Sequence, residues 1–121
     1  MHNTFCWVDI PVIHLDRAIG FYSALLGKKV EKIQDHGFIF GLLPHEENNV
    51  SGCLTEMADR EPSIHGPMVY LNVDGRMDQA VEAARLHGVQ ILSEKTQIGS
   101  YGYRAVVMDT EGNAIALHSG S

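Results

Sequence analysis

Only two cysteines, Cys6 and Cys53, stand among the 121 residues. They form no CxxC pair and no zinc-ligand set. The strand pattern below sends them to opposite sheet faces, which argues against a disulfide, and both read as small buried hydrophobes. No apolar run approaches the ~18 residues that a membrane helix needs. The N-terminus has no basic region followed by an apolar stretch, so no signal peptide is expected and the chain reads as cytoplasmic. Positive charge is scarce: 9 Lys and Arg against 15 Asp and Glu leave a net charge of −6. Without a basic patch, neither nucleic acid nor an anionic membrane is an expected partner. There is no Gly-rich phosphate loop and no Gly-x-Ser-x-Gly elbow. Nor do the histidines form an HxH or HxxxH pair: His2, His14, His36, His45, His65 and His87 fall mainly at turns or ends and read as surface groups.

What is present is alternation punctuated by glycine. Phe5 to Val12 reads as a strand, with Val8, Ile10 and Val12 on one face and Trp7, Asp9 and Pro11 on the other. Asp16 is a candidate N-cap for a helix over Arg17 to Leu26. Ala18, Phe21 and Leu25 with Ile19, Tyr22 and Leu26 make its apolar stripe, and Gly27 supplies a left-handed stop. Lys28 to Gln34 reads as a charged edge strand, followed by an Asp35-His36-Gly37 turn and a hydrophobic strand over Phe38 to Leu43. Val50 to Thr55 is a fourth strand, with Ser51, Cys53 and Thr55 on one face. Glu56 to Gly66, rich in charge, Pro and Gly, is the credible linker.

Then the pattern restarts. Pro67 to Asp74 reads as a strand with Met68, Tyr70 and Asn72 on one face. A helix follows over Met77 to His87, buried through Ala80, Val81, Ala84 and Leu86 and stopped by Gly88. Val89 to Lys95 is a strand and Thr96 to Ser100 a loop. Tyr103 to Met108, the turn from Asp109 to Asn113, and Ala114 to His118 read as a hairpin, with Gly112 free to take the positive φ that its turn needs. Gly88 follows Gly27 by 61 residues, and the same offset of 61 carries Val8 to Val69, Ile10 to Leu71, Val12 to Val73, Leu25 to Leu86 and Val30 to Ile91. The chain is therefore an internal repeat of β-α-β-β-β units. Each helix covers one sheet face, and the other faces are left to curve around something.

Within this repeat, two segments carry a family resemblance. Leu15-Asp16-Arg17-Ala18-Ile19-Gly20-Phe21-Tyr22 resembles the strand-to-helix signature of the vicinal oxygen chelate superfamily, which spans glyoxalases, bleomycin-resistance proteins and extradiol dioxygenases. Asp109-Thr110-Glu111-Gly112-Asn113 resembles its Asp-Pro-x-Gly-Asn turn, with Thr110 in place of Pro. The resemblance implies an α+β fold: two βαβββ modules forming a curved, cup-like mixed sheet with helices outside. It also implies one glyoxalase-like domain over residues 1–121, with modules at about 1–56 and 67–121, linker 57–66, and a homodimer.

Relatives commonly hold a divalent metal through His, Gln or Glu on the first and fourth strands of each module, where it polarises substrate oxygens. Carried over by motif, those positions fall on Trp7, Met68, Ala116 and, less firmly, Cys53 or Thr55. Trp and Ala cannot ligate, and a Met thioether suits hard cations poorly. No metal cofactor is therefore expected, although the family allows one.

Parity lines the cup with Trp7, Asp9, Ser51, Cys53, Thr55, Met68, Tyr70, Asn72, Ala114, Ala116 and His118. That surface suits a small, partly apolar ligand, with Trp7, Cys53, Met68, Tyr70 and Ala116 as contacts. Trp7 reads either as a stacking wall or as a core plug, and Tyr70 as a hydroxyl donor or as packing. Asp9 and His118 form a candidate acid–base pair. Arg104 could anchor an acidic ligand if its strand turns it inward. Three functions are open: a metal-free binding protein; a lyase or dioxygenase-type enzyme with an atypical metal site or with Asp9–His118 chemistry; and a non-catalytic protein-interaction module.

Overall fold

The alternation of Val8, Ile10 and Val12 and its echo in Val69, Leu71 and Val73 each demand an apolar layer on one side only. The computed structural model, which describes residues 3–121, supplies that layer with one helix per repeat; His2 lies outside the described residues. The first repeat runs β1 (Trp7–Pro11), α1 (Leu15–Leu26), β2 (Glu31–Asp35), β3 (Phe38–Leu42) and β4 (Ser51–Thr55). The second runs β5 (Val69–Asn72), α2 (Met77–Leu86), β6 (Ile91–Gln97), β7 (Tyr103–Met108) and β8 (Ala114–Ser119), with a 3₁₀ turn at Gly99–Tyr101 before β7. Each repeat forms its own mixed, four-stranded sheet, in the orders β1-β4-β3-β2 and β5-β8-β7-β6. β1 pairs with β4, and β5 with β8, in parallel; the remaining pairs are antiparallel. The molecule is thus α+β with curved sheets, built twice over.

α1 and α2 pack against each other, and one apolar cluster runs through both helices and the inner faces of both sheets. Phe21, Tyr22 and Leu25 from α1 and Ala80 and Ala84 from α2 are fully buried in it. Full burial of each large side chain is worth roughly 1.5–3 kcal/mol. Gly27 ends α1 at φ 67°, with its N–H bonded to the Ser23 carbonyl, and β2 lies at a sheet edge as the charge of Lys28 to Gln34 suggests.

Several expectations need correction. Leu86 is 79% exposed: the buried positions of α2 are Met77, Ala80, Val81 and Ala84, so the helical stripe passes to His87, whose ring meets Phe21 edge-on at 5.4 Å. Cys6 is exposed rather than buried; it precedes β1 and has no sheet face to fill. β6 extends through Gln97 into the expected loop, because register shifts near Ser93 break the alternation that would have revealed it.

The start of α1 differs as well. Helix N–H groups need acceptors, and Asp16 does not supply one. The helix begins at Leu15 with His14 as N-cap and no local side-chain bond. Instead Glu111 Oε1 accepts from the N–H groups of Ile13 (2.9 Å) and His14 (2.7 Å), and Glu56 Oε2 accepts from Leu15 (2.9 Å). Asp16 sits in the first turn, where its charge suits the helix dipole, and pairs with Lys32 at 2.9 Å.

Candidate functional site

Register decides which side chains share the uncovered faces. Trp7 and Asp9 on β1 pair with Ser51 and Cys53 on β4, and Cys53 pairs with Leu42 on β3. Phe40 and Phe38 follow Leu42 on the same side. This face was half hidden in the sequence, since Phe38 to Leu43 is apolar at both parities. Gly41 reveals the direction: a Cβ there would press on Ile19 and Val30, from the helix side, at 3.0–3.1 Å.

Within this face the polar groups are held together. Trp7 Nε1 donates to Asp9 Oδ1 at 2.8 Å, and Cys53 Sγ donates to the same oxygen at 3.4 Å. Burial, then the Asp9 bond and charge, push the Cys53 thiol up to about 11. It stays protonated at neutral pH, so it is not a thiolate nucleophile. Trp7 is 44% exposed, so it does not plug the core of the chain.

On the second sheet, Tyr70 pairs with Ala116 and Asn72 with His118, while Arg104 pairs with His118 and Val106 with Ala116 across β7–β8. Arg104 therefore shares the uncovered face with Tyr70, and its Nη1 donates to the Tyr70 hydroxyl at 2.8 Å. Met68 and Tyr70 are 43% and 47% exposed. Ala116 is fully buried and forms part of the floor. His118 Nε2 donates to the Tyr101 carbonyl. Asp9 and His118 thus sit on different sheets with different partners, and no hydrogen bond joins them.

The inner edges β1 and β5 flank a groove of about 790 Å³ whose walls include Val8, Ile10, Tyr70, Leu71 and Asn72, but not Trp7 or Asp9. This groove therefore does not join the two amphipathic faces. Of the positions that the resemblance assigns to metal ligands, Trp7 and Ala116 offer a divalent cation no donor and Met68 only a soft thioether. Among the described residues, no three His, Cys, Asp or Glu side chains converge on a point.

Behind the faces lies the network that sequence reasoning missed. Asp109 in the β7–β8 turn accepts from Tyr22 (2.7 Å) and from the Asn113 side chain on Oδ2, and from the N–H groups of Glu111 and Asn113 on Oδ1. Asn113 also donates to the Pro11 carbonyl at 2.8 Å. Glu111 is held by Arg17 at 2.7 Å and by the Thr110 hydroxyl at 2.7 Å. Phe21-Tyr22 and Asp109-to-Asn113 are thus two halves of one contact, and the Thr that replaces Pro contributes a donor to it.

A family model matches residues 4–117, nearly the whole chain. The chain belongs to the Glyoxalase/Bleomycin resistance protein/Dioxygenase superfamily. This superfamily member has the fold of several solved structures. TnmS3, an antibiotic binding protein from Streptomyces sp. CB03234, is 18% identical with a TM-score of 0.74, over 98% of this chain and 97% of that one. UcmS2 is 22% identical with a TM-score of 0.67, over the full length of both chains. FosX, a fosfomycin resistance protein from Listeria monocytogenes, is 17% identical with a TM-score of 0.69, over 100% of this chain and 94% of that one. At these identities the likeness is one of fold. No curated protein sequence matches the chain. Among the described residues, no helix is long and apolar enough to cross a membrane.

Proposed function

We propose that this superfamily member binds a small, partly apolar molecule in a metal-free cup, and that a second copy of the chain completes that cup. The observation that carries the reading is the pair of exposed amphipathic faces, with Trp7 on one sheet and Met68 and Tyr70 on the other. A monomer seldom leaves such apolar surface uncovered without a ligand or partner for it. The donor chemistry at the family's metal positions supports binding without a metal. The antibiotic binding of TnmS3 supports the same class of ligand here, at the level of fold analogy. A cytoplasmic setting suits the exposed free thiol of Cys6.

A thermal-shift screen with antibiotics, aromatic diols and glutathione adducts tests the reading. A ligand at a hundredfold over its Kd adds roughly 2.7 kcal/mol of stability. Trp7→Ala abolishes that shift. A full shift in the variant would place the site elsewhere, and no shift with any compound, together with capture of a partner protein, would favour an interaction module.

A further inference from the structure

Trp7 and Asp9 lie two residues apart on β1 and share the uncovered face. The indole is fixed by its edge: its N–H points at Asp9 Oδ1, which leaves the exposed ring available to stack. The carboxylate is fixed through that same oxygen, since Cys53 Sγ also donates to Oδ1. Among the described residues, Asp9 Oδ2 accepts no hydrogen bond and no Lys, Arg or His pairs with Asp9. The arrangement is an aromatic surface with an oriented, uncompensated carboxylate at its rim.

We infer that this constellation is a subsite for a planar aromatic ligand bearing a basic nitrogen at its edge, with the ring stacked on Trp7 and the ammonium bonded to Asp9 Oδ2. The inference rests on the ligand-binding reading above and gives that ligand a charge. A cation gains a charge-assisted bond, and the net charge of −6 on the chain adds attraction at longer range. A neutral donor gains less, and an anion meets repulsion. The opposite sign is found on the other sheet, where Arg104 donates to Tyr70. In the dimer proposed above, Arg104 on the second sheet is the cation that would compete for Asp9.

Calorimetric titration with three probes sharing one ring separates these cases: 1-naphthylmethylammonium, 1-naphthylmethanol and 1-naphthylacetate. The cation is expected to bind about tenfold more tightly than the alcohol, and the acetate more weakly than either. Asp9→Asn, an isosteric change at an exposed position, removes the advantage of the cation over the alcohol. Asp59→Asn, an exposed acid in the β4–β5 connection, changes neither value and controls for net charge. Trp7→Leu weakens all three probes. Equal binding of cation and alcohol by the unaltered protein would overturn the subsite while leaving the cup as an apolar binder. So would a cation advantage that survives Asp9→Asn, or an Asp9→Asn protein whose only change is weaker self-association, which would assign Asp9 to a contact between two copies of the chain. Failure of all three probes to bind would overturn the subsite and the binding of planar ligands together.

Discussion

Glu111 is the side chain on which the most groups converge. Burial alone would push its carboxyl up, but the Arg17 guanidinium, the His14 N–H, the Thr110 hydroxyl and the Ile13 N–H outweigh it and bring the pKa down from 4.5 to about 2. The folded value lies below the unfolded one, so the unfolded chain takes up a proton first as pH falls. The resulting stabilisation is complete above pH 4.5 and disappears as pH falls towards 2; it is on the order of 3 kcal/mol. Glu111→Gln should cost about 2 kcal/mol at pH 7, and urea titrations at pH 7 and pH 3 should show a smaller pH dependence than in the unaltered protein. Equal pH dependence in the two proteins would remove Glu111 as its source. Tyr22→Phe should cost about 1–2 kcal/mol by the same measurement, because it takes one donor from buried Asp109. None of this was visible around α1. Asp16 looked like the cap because local spacing favours it, whereas the acceptor that does the work is separated from His14 by 97 positions. Arg104 was undecidable for a related reason: only its pairing with His118 across the hairpin fixes its direction.

At the scale of elements, the repeat offset located both helices, both glycine stops and the paired first strands, because strand alternation and helical stripes are local periodicities. It failed at Leu86, where equivalence in sequence did not carry equivalence of face, and at β6, where bulges interrupt the period. Two glycines give direct tests of the strands. Gly112 holds φ 105° in the β7–β8 turn, so Gly112→Ala should cost on the order of 1 kcal/mol or more; an unchanged Tm would mean that the turn relaxes. Gly52 is more severe. A Cβ there would meet the Val8 carbonyl oxygen at 2.5 Å, within the parallel β1–β4 pair that carries Trp7, Asp9 and Cys53. Gly52→Ala should lower Tm and weaken hydrogen-exchange protection in β1 and β4 while β7 and β8 keep theirs until global unfolding. Equal loss in both sheets would show that the first sheet has no local opening of its own.

For the whole molecule, the two helices pack on each other and each covers one sheet face, which leaves the other face of each sheet uncovered. That arrangement could not be read from periodicity, which assigns residues to faces but does not say whether two faces in one chain enclose the same space. Sedimentation equilibrium should return the mass of two chains, and a monomer at micromolar concentration would leave the faces to be covered by another protein. Protein purified without chelator should carry no stoichiometric metal, and its Tm should be unchanged after dialysis against EDTA; about one Mn, Fe, Ni or Zn per chain would overturn the metal-free cup. The contact between Tyr22 and Asp109 and the clasp of Glu111 on α1 also impose an order in time. During synthesis α1 emerges early, but the acceptor for the Ile13 and His14 N–H groups is translated almost a hundred residues later. Until then the first module has an open helix end. A nascent chain halted before Asp109 should therefore remain protease-sensitive in its first half, and release of the last hairpin from the ribosome should close both halves at once.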